Sequence, residues 1–234
     1  MFSAKIANHI FKIDNKYNYI RRLFSDYIVD DDSNGVLIAV QEGEIQAENR
    51  DEAINYPPAY LESLAIHRKL CEYLIDYNII MFHCSAVELD GKAYLFTAPS
   101  GTGKSTHARL WRERFGDRLT VINDDKPFLE FRDNDVFVYG TPFAGKHCLQ
   151  TNTSAKVSGI IYLSQNEHNN IKRLTMGESF LLLYLQAYRI KNSKEKATKI
   201  LDLVTKLCKL PVFRLECNIS DEAVDLAYNS LIGE

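Results

Sequence analysis

Ala98-Pro99-Ser100-Gly101-Thr102-Gly103-Lys104-Ser105-Thr106 follows an apolar, β-like run from Ala93 to Thr97 and leads into a helical pattern. That is the strand, loop and helix setting a phosphate-binding loop of the Walker A type requires. Gly101 and Gly103 free the backbone so that successive N–H groups can form a nest for phosphate oxygens. The helix that begins at Thr106 adds the positive end of its dipole at the same spot. Lys104 is expected to reach the β and γ phosphates of ATP as a point charge, and the Ser105 hydroxyl to ligate the Mg²⁺ that bridges them. Ser100, Thr102 and Thr106 complete the expected nucleotide contacts. Ala98 stands where the G-x-x-x-x-G-K-[ST] pattern has its first glycine, a position that relieves a turn, so alanine is compatible with it if φ is negative.

Downstream of this loop, Ala108, Trp111 and Phe115 line one helical face opposite Arg109, Arg112, Glu113 and Arg114, and Gly116 stops the helix. Trp111 therefore reads as core and not as an adenine platform. Leu119 to Ile122 is a short β-like run ending in Asn123-Asp124-Asp125. Asp124 is placed like the carboxylate that holds Mg²⁺, while Asp125 emerges on the other side of the backbone, where it can act as general base on an acceptor hydroxyl. Upstream, Ile79 to Leu89 reads as one strand, Asp90-Gly91 as a two-residue hairpin turn and Lys92 to Thr97 as the returning strand. His83 lies within that apolar strand and, taken alone, reads as a satisfied core histidine. Phe128 to Phe131 and Val136 to Tyr139 form another pair of strands. The glycine-bounded loop Gly140 to His147 ends in Lys146 and His147, which are either surface residues or a second phosphate clamp.

Toward the C-terminus the pattern gives a strand at 157–163, helices at 180–188 and 197–208, a strand at 212–217 and a closing helix at 221–231. Residues 1–56 read differently, as short β-like pieces at 6–13 and 36–40 around an acidic turn, Asp30 to Gly35. Pro57 and Pro58 then introduce an amphipathic helix that carries Leu61, Leu64, Ala65, Cys71 and Leu74. The expected organisation is thus an α/β chain: a small β-rich N-terminal region, 1–56, and a P-loop domain, 57–234.

A chain of 234 residues with net charge −3 and interspersed charges offers no basic footprint for nucleic acid. Its longest apolar run, Phe180 to Leu185, is far shorter than the roughly 18 residues of a membrane span and reads as a buried helix segment. Five widely spaced cysteines without a C-x-x-C pair indicate reduced thiols and a cytoplasmic setting rather than a disulfide or zinc framework. No motif speaks to the oligomeric state.

Taken together, His83-Cys84-Ser85-Ala86-Val87, the hairpin, Ser100 to Thr106 and Asn123-Asp124-Asp125 resemble the catalytic domain of HPr kinase/phosphorylase. The P-loop type is also that of ATP-dependent phosphoenolpyruvate carboxykinases, and the similarity spans about Ile79 to His147. The resemblance implies an ATP- and Mg²⁺-dependent kinase acting on a serine-type hydroxyl. It pairs His83 with Asp125 as the catalytic unit and assigns Ser105 and Asp124 to the metal, and Lys104 and Lys146 are the cations expected to act beside that unit. The glycine-rich signature that HPr kinases carry after their Asp-Asp pair is missing, and Gly140 to His147 occupies its place. The chain is more similar to stand-alone homologues found beside peptide-modification genes, some of which phosphorylate a hydroxyl on a lasso-type precursor peptide. A small molecule such as free serine is a further acceptor; HPr(Ser) kinase/phosphorylase activity proper, or a non-catalytic nucleotide-sensing module, are the alternatives.

Overall fold

Phe2, Ala4 and Ile6 are buried and their neighbours are less so, as are Phe11 and Ile13, and this period of two builds the first hairpin. In the computed structural model, which describes residues 1–30, 35–51 and 53–233, β1 (Phe2–Ile6) pairs antiparallel with β2 (His9–Asp14). The turn between them is Ala7-Asn8, both at positive φ (46° and 64°), as a type I′ turn demands. Sequence had joined 6–13 into one piece because no glycine marks this turn. β3 (Val36–Ala39) lies parallel to β2 and completes a three-stranded sheet. Residues 31–34 of the acidic turn lie outside the described residues.

Three helices join this sheet: α1 (Asn18–Leu23), α2 (Glu42–Gln46) and α3 (Pro58–Leu74). α3 packs on α1, α2 and β3, so it belongs to a first compact unit, Met1–Asp76, and not with the residues that follow, where the expected division before Pro57 places it. The first unit is accordingly mixed α/β. Glu62 of α3 is fully buried, and its carboxylate accepts the N–H groups of Lys16 (2.5 Å) and Tyr17 (3.0 Å). It thereby satisfies backbone donors at the start of α1, which has no side-chain cap of its own.

The second unit, Tyr77–Glu234, is built on a nine-stranded sheet. Its elements run β4 (Ile79–Met81), β5 (Cys84–Leu89), β6 (Lys92–Thr97), α4 (Lys104–Phe115), β7 (Leu119–Asn123), β8 (Phe128–Arg132), β9 (Asp135–Tyr139), β10 (Ser154–Gln165), β11 (Asn170–Arg173), α5 (Met176–Tyr184), α6 (Lys194–Leu207), β12 (Val212–Cys217) and α7 (Asp221–Ile232). The strand order is β4-β8-β9-β10-β6-β5-β7, with β12 also parallel to β10 and β11 antiparallel to β12. β10 is long enough to pair with β9 through its first residues and with β12 through its last, while β6 runs along its other edge.

Val87, Phe96, Trp111, Ile161, Leu215 and Val224 form the core between the sheet, α4 and α7, and Trp111 is fully buried as expected. The expected single strand 79–89 is two strands, broken at Phe82 and His83. There the chain changes partners: β4 pairs with β8, β5 with β6 and β7, and between them the N–H groups of Phe82 and His83 bond Pro127 O (3.2 Å) and Gln186 O (2.9 Å). The run at 180–185 is helical through Tyr184, but only partly buried: Leu183 is inside, whereas Leu181 is 60% and Leu185 53% exposed. No helix among the described residues is long and apolar enough to cross a membrane.

Candidate active site

β5 is antiparallel to both β6 and β7, with Cys84 opposite Thr97 and Ala86 opposite Asn123. The start of β5 and the ends of β6 and β7 therefore lie at the same end of the strands, so the topology delivers His83, the loop after Thr97 and the Asp124-Asp125 pair to the same place. Thr97 Oγ1 donates to His83 O (2.8 Å), and Ser85 Oγ to Asp124 O (3.2 Å), which ties the three segments together.

The loop has the backbone its glycines allow. Gly101 (φ 81°) and Gly103 (φ 118°) lie in the positive-φ region, while Ala98 is not among the positive-φ residues, so the missing first glycine is no obstacle. α4 starts at Lys104 directly after Gly103. Lys104 is buried, and its ammonium donates to the carbonyls of Ala98 (3.1 Å) and Pro99 (3.4 Å). Burial pushes its pKa down, and the nearby Asp125 carboxylate works against that. Ser105, Thr102 and Thr106 are half-buried along the loop and first turn, and Ser100 is exposed.

Asn123 shapes the strand end that follows. Its amide donates to Thr141 O (3.1 Å) and Oγ1 (3.2 Å), and its Oδ1 accepts the N–H groups of Asp125 (2.9 Å) and Lys126 (2.8 Å). This Asx-type turn sends the two carboxylates apart. Asp124 is 3% exposed; its Oδ1 accepts the Gly145 N–H (2.7 Å), while Oδ2 is buried with no hydrogen-bond partner. Burial raises the Asp124 carboxyl, against the pull of the Gly145 amide. A buried carboxylate oxygen without a donor is what a cation would satisfy, so Asp124 fits a Mg²⁺ ligand. Such an ion would take few protein ligands here: among the described residues no cluster of three or more His, Cys, Asp or Glu is arranged to hold a metal.

Asp125 faces the other way. Its Oδ1 lies 3.2 Å from His83 Nε2, and its Oδ2 contacts the Lys126 ammonium. Burial acts to raise this carboxyl, but the His83 hydrogen bond and the Lys126 charge outweigh it and hold the group well below the usual carboxylate range. On the far side of the ring, His83 Nδ1 lies 3.2 Å from Oε1 of Gln186, a buried side chain just beyond α5. His83 is thus a partner of Asp125 and not an isolated core histidine. The Cys84 thiol, at the start of β5, is fully buried and pushed up by that burial.

Two site residues escaped the sequence reading. Gln186 comes from a distant segment with no motif around it. Lys126 stood beside Asp125, but its cation was not weighed. Lys146 is exposed, and no hydrogen bond or ion pair joins its side chain to Asp124 or Asp125; it is the amide of its neighbour Gly145 that reaches the site.

Beside the loop, a cleft of about 710 Å³ opens between the start of α4 and the ends of β10 and β12, lined by Gly103, Thr106, His107, Leu163, Cys217 and Ile219 among others. Gln165 Nε2 donates to Thr102 O (3.2 Å) at its rim. His107 is buried, accepts the Trp111 Nε1–H at Nε2 (3.0 Å), and has its pKa pushed down by burial to about 4.

No family model matches the chain, and no curated protein sequence does. Among solved structures it is similar to the Hpr(Ser) kinase/phosphatase from Coxiella burnetii, at 13% identity over 65% of this chain and 93% of that one, with a TM-score of 0.35. A likeness of that degree is a distant structural relationship, which by itself decides neither the activity nor the substrate.

Proposed function

We propose that the chain is an ATP- and Mg²⁺-dependent kinase that phosphorylates a serine-type hydroxyl on a peptide, a protein or a small molecule. The observation that carries this reading is the meeting of a buried lysine in a glycine loop with the paired His83 and Asp125 at the same end of the strands. Phosphoryl transfer needs little covalent help from a protein, only a phosphate cradle, charge stabilisation and a proton acceptor in position. Each has a candidate in these residues.

In this reading the loop from Ser100 to Thr106 cradles the phosphates, and Lys104 neutralises charge on the β and γ groups. Ser105 and Asp124 would hold Mg²⁺, whose chemistry is to offset charge on the phosphate oxygens. The cleft beside α4 takes the base and ribose, with Leu163 and Ile219 as apolar walls. The acceptor oxygen forms a bond to the γ-phosphorus, the bond from that phosphorus to the β,γ-bridging oxygen breaks, and ADP leaves. Asp125 takes the hydroxyl proton, and His83 orients its carboxylate. The five free cysteines suit a reducing, cytoplasmic compartment.

The test is a pair of variants. Lys104→Ala should lose ATP binding in calorimetry, whereas Asp125→Asn should bind ATP and fail to transfer labelled γ-phosphate to serine or serine-bearing peptides. Full transfer by Asp125→Asn would remove the proposed base. Tight ATP binding with no acceptor-dependent turnover would leave a nucleotide sensor instead.

A further inference from the structure

We infer that Lys126 is a second phosphate-gripping cation, one that exchanges Asp125 for the terminal phosphoryl group of the bound nucleotide; the inference rests on the kinase reading. Three side chains converge on the single Asp125 carboxylate. His83 holds Oδ1, the Lys126 ammonium holds Oδ2, and Lys104 feels the same charge at longer range. Asp124 pairs with neither lysine: its Oδ1 accepts the Gly145 amide and its Oδ2 has no hydrogen-bond partner. Lys104 itself bonds only carbonyl oxygens, and no ion pair satisfies it among the described residues. A buried ammonium at a glycine loop with no carboxylate paired to it, and a second, partly exposed one held by Asp125, are set up for a polyanion.

The backbone of Lys126 is pinned on both sides. Its N–H donates to Asn123 Oδ1 (2.8 Å), its carbonyl accepts from Thr141 Oγ1 (2.8 Å), and the carbonyl of the following Pro127 accepts the Phe82 N–H (3.2 Å). The side chain is not pinned: it is 33% exposed, on a flexible four-carbon stem. An exchange of partners thus needs only side-chain rotation.

The contact is specific to the third phosphate, so it is read by comparing ATP with ADP. Affinities for both are measured on wild type, Lys126→Met and Lys126→Arg, each checked for a native melting transition. Lys126→Met should weaken ATP by roughly 10-fold or more, the value of a charge-assisted contact, and leave ADP within about 2-fold. Lys126→Arg should recover most of the difference. If Lys126→Met weakens both nucleotides equally, or neither, the inference falls while the kinase reading stands. If the wild type binds neither nucleotide, both fall. Should Lys126→Met fail to fold, Lys126→Gln carries the same comparison.

Discussion

Asp125 Oδ1 lies 3.2 Å from His83 Nε2, although one residue follows β7 and the other precedes β5. Gln186 holds the imidazole from behind through its side-chain oxygen, and its backbone carbonyl accepts the His83 backbone N–H. Replacing His83 with alanine should slow transfer by roughly 10- to 100-fold, less than the ~10²–10⁴ supplied by a direct acid or base. ATP affinity should be unchanged. Gln186→Leu should act in the same direction and less strongly. Single-turnover kinetics with a parallel nucleotide titration decide the matter: an equal loss of binding would assign His83 to the nucleotide pocket.

Gly103 has φ 118°, outside the left-handed region that a side-chain-bearing residue tolerates, and nothing lies within 4 Å of where its Cβ would be. The cost of Gly103→Ala is therefore torsional and not steric, about 1–3 kcal/mol concentrated in the loop. ATP affinity should drop by roughly 10-fold or more, for the strain is relieved only by moving the cradle amides. Unchanged ATP affinity in a folded Gly103→Ala protein would disprove the cradle.

His107 gives the fold a pH dependence of definite sign. Burial takes its pKa from the ordinary 6.5 down to about 4, so between these values the unfolded chain binds a proton that the folded one does not. Its contribution to stability is fully present above pH 6.5 and is lost as pH falls toward 4, up to about 3 kcal/mol. His107→Gln should flatten the denaturation midpoint across that window. A midpoint with the same slope in the variant would show that another group is responsible.

Glu62 supports the first unit through a single buried carboxylate on two backbone N–H groups. Glu62→Ala leaves both donors without a partner and should cost on the order of 2–4 kcal/mol in chemical denaturation. Glu62→Gln keeps an acceptor oxygen and should cost less. A loss under about 0.5 kcal/mol for Glu62→Ala would mean that water replaces the carboxylate.

Legibility followed the range of the interactions. The loop, the Asp-Asp pair and the Asp90-Gly91 turn were readable because each is specified by neighbouring residues. The pairing of His83 with Asp125 was implied only by resemblance, since the strand around His83 is uniformly apolar and shows no break. α1 and α2 are too short to display a helical period. β11 is a short strand with one apolar residue, Ile171, and it forms only because β12 offers a free edge. Gln186 was invisible because its role depends on a crossing between distant segments, marked locally by nothing.

β6, which feeds the phosphate loop, is bordered by β10, and the backbone of His83 is tied to Gln186. Synthesis delivers His83, Lys104 and Asp125 well before either of those supports leaves the ribosome. A nascent chain ending at Tyr139 holds the reactive groups yet lacks the strand and the amide that fix them. The geometry of this site is therefore completed late in translation.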